Sequence, residues 1–216
     1  MESKEKMESN MTQDEGQMSQ AIHTMGKGFN KDDFFIHDRY DAKDIIEQKL
    51  REIIGLKEDE ELDEPTNNHL EEILDWLEED YQWGLILMGS VGNGKTSMMK
   101  ALMYYFDWIY SSNNYPVRTR KAKEITNAAI KGLEYYPYST VLAIDDLGEE
   151  PKEVMCFGNI QTPIIDIIEE RYDCLRITIF TTNLDEEGIT KKYGSRVADR
   201  LREMAKVITF TNPSYR

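Results

Sequence analysis

Residues 84–96, GLILMGSVGNGKT, restrict the fold of this 216-residue chain more than any other stretch. Gly84 to Met88 form a short apolar run that reads as a buried strand. Gly89 to Thr96 fit the pattern G-x-x-x-x-G-K-[ST] at every fixed position. Such a loop works only between a strand and a helix. Its glycines let the backbone curl until successive N–H groups point at phosphate oxygens, and the helix that follows adds the partial positive charge of its N-terminus. Lys95 is then placed to reach the β- and γ-phosphates, and the Thr96 hydroxyl to ligate Mg²⁺. The candidate phosphate-contacting set is Gly89, Ser90, Val91, Gly92, Asn93, Gly94, Lys95, Thr96 and Ser97.

The segments around this loop alternate in type. A helix is predicted over 96–110, a weak strand over 116–119, a helix from 122 to near Gly132, and a strand over 141–144. A helix over 162–173, a strand over 176–182, a helix over 195–205 and a last strand over 206–212 follow. This alternation predicts an α/β fold: a parallel five-stranded sheet flanked by helices.

The front of the chain has a different character. The net charge is −15, and residues 1–94 carry all of it, with 9 Lys/Arg against 24 Asp/Glu. Residues 95–216 hold 17 of each. An acidic front half argues against that half tracking a nucleic-acid backbone. Residues 1–30 are polar and aperiodic and read as a disordered tail. Residues 31–82 form an acidic helical region, with a helix over 41–54 closed by Gly55 and a second within 67–80 that presents Leu70, Ile73, Leu74 and Leu77. The acidic stretch 56–65 between them reads as a solvated linker. No run of about 18 apolar residues occurs, which excludes a membrane span, and the N-terminus shows no secretory h-region. Cys156 and Cys174 stand apart without a CxxC pattern, which fits reduced thiols in a cytoplasmic protein.

Three further places carry candidate chemistry. In VLAIDDLGEE, residues 141–150, a buried strand runs into Asp145 and Asp146, and buried carboxylates need positive charge nearby. Strand ends line the ligand crevice in sheets of this kind. Asp145 is therefore expected beside Thr96, holding Mg²⁺. Asp146 points elsewhere and can polarise the water that attacks a γ-phosphate, or else serves as a turn residue before Gly148. Asn183, ending the strand 176–182, can bond that water or phosphate, or simply make a turn. Arg196 and Arg200 are four apart and share a helix face, where they either solvate the helix or reach a neighbouring subunit's γ-phosphate. Arg118, Arg120, Lys121 and Lys123 make a basic cluster suited either to phosphate contact or to a solvated helix start.

The order GLILMGSVGNGKT, VLAIDDLG, IIDIIEERYDCLRITIFTTNL, YGSRVADRLRE and VITFTNPSYR resembles the DnaC/IstB-like branch of the AAA+ ATPases, over about residues 83–216. The resemblance implies a P-loop NTPase (AAA+) core that uses ATP and Mg²⁺, with Gly89, Gly94, Lys95 and Thr96 as Walker A and Asp145 and Asp146 as Walker B. Asn183 would be the first sensor, Arg196 the arginine finger and Arg200 a second candidate. The Asp-Asp pair implies slow hydrolysis, because the shorter side chain holds water less closely. Implied partners are a replicative DNA helicase gripped by the N-terminal region, single-stranded DNA, and a second copy of the chain across the ATP site. An IstB-like transposition helper acting on duplex DNA is the alternative. The chain ends just after its last strand, so no full C-terminal lid domain is expected. Residues 1–80 do not match the family's usual N-terminal region. A small-molecule kinase lacks a use for the Thr-Asn strand end and the arginine-bearing helix. A nucleotide-binding adaptor without hydrolysis would not need Lys95, Thr96, Asp145 and Asp146 together.

Overall fold

The computed structural model describes residues 39–57, 59–78, 82–110, 116–131, 139–212 and 214. The tail expected over 1–30, the first residues of the acidic region and the helix end expected near Gly132 lie outside the described residues. Residues Phe35–Arg216 make one compact unit.

Five strands form the sheet: β1 (Gly84–Gly89), β2 (Val117–Lys121), β3 (Val141–Leu147), β6 (Thr178–Thr182) and β7 (Ala205–Phe210). Their spatial order is β2-β3-β6-β1-β7, and every pairing is parallel. Strand β6, late in the chain, therefore lies between the strand of the glycine-rich loop and the strand of the paired aspartates. Leu85–Leu87, Val141–Ile144 and Thr178–Thr182 are buried along their lengths, as continuous apolar runs must be when helices cover both faces. The edges differ: β2 carries Arg118, Arg120 and Lys121, and β7 alternates buried Ile208 and Phe210 with exposed Val207 and Thr209. Charge on β2 protects that edge from pairing with another chain.

Alternation along each strand sends its side chains to opposite faces. On one face Ile86, Leu142, Ile144 and Phe180 pack with apolar residues of α4 (Ala122–Ile130), α5 (Pro163–Asp173), α6 (Glu186–Tyr193) and α7 (Ser195–Met204). On the other side, α3 (Lys95–Tyr110) buries Met98, Met99, Leu102 and Phe106. Helix α1 (Arg39–Ile54) packs on α3 through buried Ala42, Ile46 and Leu50, and α2 (Glu64–Glu78) packs on α1 and β7. Each such side chain contributes about 1.5–3 kcal/mol when fully buried. Among the described residues no helix is long and apolar enough to cross a membrane.

All five expected strands and the six expected helices form. The sheet strand at 141 runs to Leu147 and so contains both aspartates. Helix α2 begins at Glu64, ahead of the expected 67, because the Asp63 carboxylate accepts the Thr66 N–H at 2.8 Å and caps it. Two features have no counterpart in the sequence reading. Helix α6 is polar and without an apolar period, and is started by Asp185 accepting the Gly188 N–H at 2.7 Å. A short antiparallel hairpin, β4 (Val154–Cys156) with β5 (Asn159–Gln161), turns through Phe157 and Gly158.

Candidate functional site

The loop after β1 can be closed only by glycine at its first position. A Cβ on Gly89 would stand 2.4 Å from the Phe210 carbonyl oxygen and 2.6 Å from Asn93 Nδ2, at a φ of +148°. Gly92 and Gly94 also hold positive φ, +89° and +93°, which suits residues without a Cβ. Buried Asn93 donates Nδ2–H to the Phe210 carbonyl at 2.7 Å and ties the loop to the end of β7. The Lys95 ammonium lies inside the loop, donating to Gly89 O at 2.8 Å, Ser90 O at 2.6 Å and Asn93 Oδ1 at 3.0 Å.

The paired aspartates occupy two unlike environments. Asp145 is 4 % exposed. Its Oδ1 accepts the Thr96 hydroxyl at 2.9 Å and the Thr181 hydroxyl at 2.6 Å. Thr181 Oγ1 in turn accepts the Asp146 N–H at 2.9 Å. The β3–β6 ladder shifts register between Ile144 and Leu147, and this bulge turns Asp146 to a φ of +58°. The Asp146 carboxylate lies 3.7 Å from Lys121 Nζ. Burial, the Asp145 charge and the Glu149 charge hold its pKa above the usual carboxylate value, and Lys121 opposes them. Glu149 is pulled the other way, its pKa lowered by Lys123, which it meets at 2.9 Å.

These groups surround a cavity of about 770 Å³. Its floor is the glycine-rich loop from Val91 to Ser97, one side carries Lys121, Asp146, Glu149 and Asn183, and the opposite wall is Leu50, Ile54, Leu56, Glu61, Leu62, Asp63 and Thr66. The volume falls within the ~300–1,000 Å³ of organic-ligand sites. That wall, to which the stretch contributes Leu56 and Leu62, corrects the reading of 56–65 as a solvated linker. Leu62 is 6 % exposed and lines the pocket, with its neighbours Glu61 and Asp63 at the rim of the same wall. Thr96 and Asp145 offer hard oxygen donors, which suit Mg²⁺. Among the described residues no group of three or more His, Cys, Asp or Glu side chains forms a metal cluster. A cation here would therefore take most of its shell from phosphate oxygens and water.

Neither Arg196 nor Arg200 lines the cavity. Arg196 projects from the first turn of α7 with a 72 % exposed side chain and pairs with Glu169 at 3.1 Å. Arg200 is held more closely, 3.4 Å from Asp173 and 4.8 Å above the Tyr172 ring. The basic cluster divides: Lys121 and Lys123 meet Asp146 and Glu149, while Arg118 and Arg120 lie along the β2 edge. Thr181 is the site residue that the sequence reading missed. The only signal for it was its place at a strand end, one residue before Thr182-Asn183.

No protein-family model matches the chain, and no curated protein matches it significantly in sequence. Solved structures do match. The DnaC helicase loader superposes with a TM-score of 0.54 at 22% identity, over 70% of this chain and 93% of that one. DnaI gives a TM-score of 0.54 at 23% identity, over 77% and 93%. The replication initiator DnaA bound to AMPPCP and single-stranded DNA gives 0.52 at 16% identity, over 70% of this chain and 48% of that one. What this chain shares with them is the fold: a parallel sheet in the order β2-β3-β6-β1-β7, with the glycine-rich loop at the carboxyl end of β1 and helices on both faces.

Proposed function

We propose that this protein binds ATP with Mg²⁺ in the 770 Å³ cavity, hydrolyses it slowly, and uses that cycle to load a replicative DNA helicase onto single-stranded DNA. The observation that carries the reading is the convergence of the glycine-rich loop, the Thr96–Asp145 hydrogen bond, Asp146 and Asn183 on one cavity. The likeness to a DnaC helicase loader, and to a DnaA that binds AMPPCP and single-stranded DNA, supports the choice of nucleotide and process.

In this reading the loop N–H groups hold the phosphates, and Lys95 exchanges loop carbonyls for β- and γ-phosphate oxygens. Thr96 and Asp145 would hold Mg²⁺, which, when bound, neutralises charge on those oxygens. Asp146 orients the attacking water and takes up its proton, for which a raised pKa suits it. Asn183, on the cavity wall, bonds the water or the γ-phosphate. Arg196 of one subunit reaches the nucleotide of the next, with Arg200 beside it, and stabilises the charge of the transferring phosphoryl group. The aliphatic side chains of Leu50, Ile54, Leu56 and Leu62 on the wall from α1 and the α1–α2 connection accept the base. The acidic region 31–82 grips the helicase, and DNA meets the Arg118–Arg120 edge.

Co-sedimentation with the hexameric replicative helicase of the same host, with ATP, with ADP and without nucleotide, tests this. A nucleotide-dependent complex is the expected result. Absence of any complex, together with ATP-dependent filaments on duplex DNA, would overturn it in favour of a transposition helper.

A further inference from the structure

Glu150 is a wholly buried carboxylate for which phosphate chemistry has no direct use. It lies four positions beyond Asp146, and its side chain is 0% exposed. Burying such a group is unfavourable unless hydrogen bonds and a counter-charge meet it, and here both do. Its Oε2 accepts the Gly148 N–H at 2.9 Å. Its Oε1 accepts the Tyr193 hydroxyl at 2.5 Å and lies 3.6 Å from Lys192 Nζ. The same ammonium donates to the carbonyl oxygens of Gly148 and Glu150.

The network joins two pieces of backbone far apart in sequence. One is the turn 146–150, which begins at Asp146 and closes with the Glu149 N–H donating to Asp146 O at 3.1 Å. The other is the junction of α6 and α7, where Tyr193 ends one helix, Gly194 bends the chain at a φ of +93°, and Arg196 is the second residue of the next. Further contacts run in parallel. The Thr182 hydroxyl donates to Leu147 O at 2.7 Å and accepts the Leu184 N–H at 3.1 Å. A Cβ on Gly148 would stand 2.6 Å from Leu184 Cδ1, so the turn also lies directly against the residue after Asn183.

The geometry points to Glu150, with Tyr193 and Lys192, as a positioning group that makes the Asp146 turn and the start of α7 one mechanical unit. In each chain the placement of the water-orienting carboxylate then fixes the placement of the Arg196 offered to the next copy. What occupies one site is relayed in this way to its neighbour. This inference rests on the ATPase reading above and adds to it the path by which successive sites communicate.

Tyr193→Phe removes the hydroxyl that Glu150 accepts and keeps the ring. In hydrogen–deuterium exchange of the nucleotide-free protein, this variant is expected to raise exchange about tenfold over both 146–150 and 193–198 and to leave β1 and β6 unchanged. A rise in one segment alone, or uniformly across the fold, would overturn the coupling. In the self-assembled protein the same variant is expected to lower kcat about tenfold with KM and nucleotide affinity unchanged. Glu150→Gln, whose amide oxygen and nitrogen can serve Gly148 and Tyr193 respectively, is expected to stay within about threefold of the parent, while Glu150→Ala falls at least as far as Tyr193→Phe. Glu150→Ala combined with Arg196→Ala should be no slower than Arg196→Ala alone. An unchanged kcat in Tyr193→Phe, or a loss confined to KM, would sink the proposal. A parent protein that turns over no ATP would overturn the ATPase reading alone, and the exchange comparison would still decide the coupling.

Discussion

Asp146→Asn should make the protein more stable and nearly inactive at once. Asp146 stands at a φ of +58°, a left-handed backbone that costs an L-residue about 1–2 kcal/mol and that Asn tolerates best. Its side chain is 32% exposed, and burial, then Asp145, then Glu149 raise its pKa above the ordinary carboxylate value. The sign follows from linkage. A carboxylate with a higher pKa in the fold than in the unfolded chain holds its proton better when folded, so its ionised form lowers stability. That loss is complete above the folded pKa and disappears as pH falls through it towards the unfolded value. Asparagine keeps the shape, removes the charge and gives up only the partly exposed contact with Lys121 at 3.7 Å, which is worth about 0–1 kcal/mol. The balance at pH 7 is a gain in stability, and each kcal/mol of it raises Tm by about 2–4 °C in a chain of this size. Phosphate release should fall about 10²–10⁴-fold with the loss of the base. Calorimetric melts at pH 7.5 and 5.5, beside a phosphate-release assay, measure both. A variant less stable than its parent at pH 7.5, or a gain that grows towards acid, refutes the electrostatic reasoning, and undiminished turnover refutes the role of the carboxylate.

Lys95→Ala should abolish nucleotide binding in equilibrium titrations, whereas Arg196→Ala should leave binding intact and remove assembly-dependent turnover; assembly-dependent turnover in Arg196→Ala would end the trans-acting assignment. Thr96→Val keeps the side-chain shape but loses the hydroxyl that meets Asp145 at 2.9 Å, so titration with and without Mg²⁺ should show the cation's enhancement of ATP affinity fall about tenfold or more. Arg171→Met tests the fold alone. Its guanidinium, 0% exposed, donates to Thr178 Oγ1 at 2.7 Å, to Ser139 O at 2.8 Å and to Ile177 O. Leaving those acceptors buried and unmet should cost about 3–5 kcal/mol in urea denaturation, a large part of the ~5–15 kcal/mol that holds a typical domain.

What the sequence disclosed and what it withheld divide along a physical line. The five strands and the glycine-rich loop were legible because their signals are local: unbroken apolar runs, and glycines at fixed spacing before Lys95 and Thr96. Thr181 was not, since its role comes from β6 entering the sheet between β1 and β3, a placement that strand patterns do not encode. Glu150 and Tyr193 read as an acidic turn residue and a helix-end aromatic; only the fold brings them to 2.5 Å. Helix α6, EEGITKKY, escaped because its pattern is polar and its stability lies in the Asp185 cap and two buried residues, Ile189 and Tyr193. Leu56 and Leu62 were hidden by their acidic neighbours, although two leucines in such a stretch were the available sign of a covered face.

The adjacent aspartates show how one residue type acquires two environments. Both belong to β3, yet a single hydroxyl divides them: Thr181 donates to the Asp145 carboxylate at 2.6 Å and accepts the Asp146 N–H at 2.9 Å. Asp145 thereby gains two hydroxyl donors and a buried position, the environment of a carboxylate held as a fixed ligand. Asp146 has its backbone held instead, and its side chain faces the cavity with burial and two carboxylates raising its proton affinity and one lysine opposing them. Pushing paired carboxylates into unlike environments is how acid–base roles are separated elsewhere. Here the separation depends on the register shift after Ile144, because a regular ladder would keep Asp146 in extended backbone. The same shift releases the turn that Glu150 holds. The device that distinguishes the two aspartates is therefore also the one that ties Asp146 to α7.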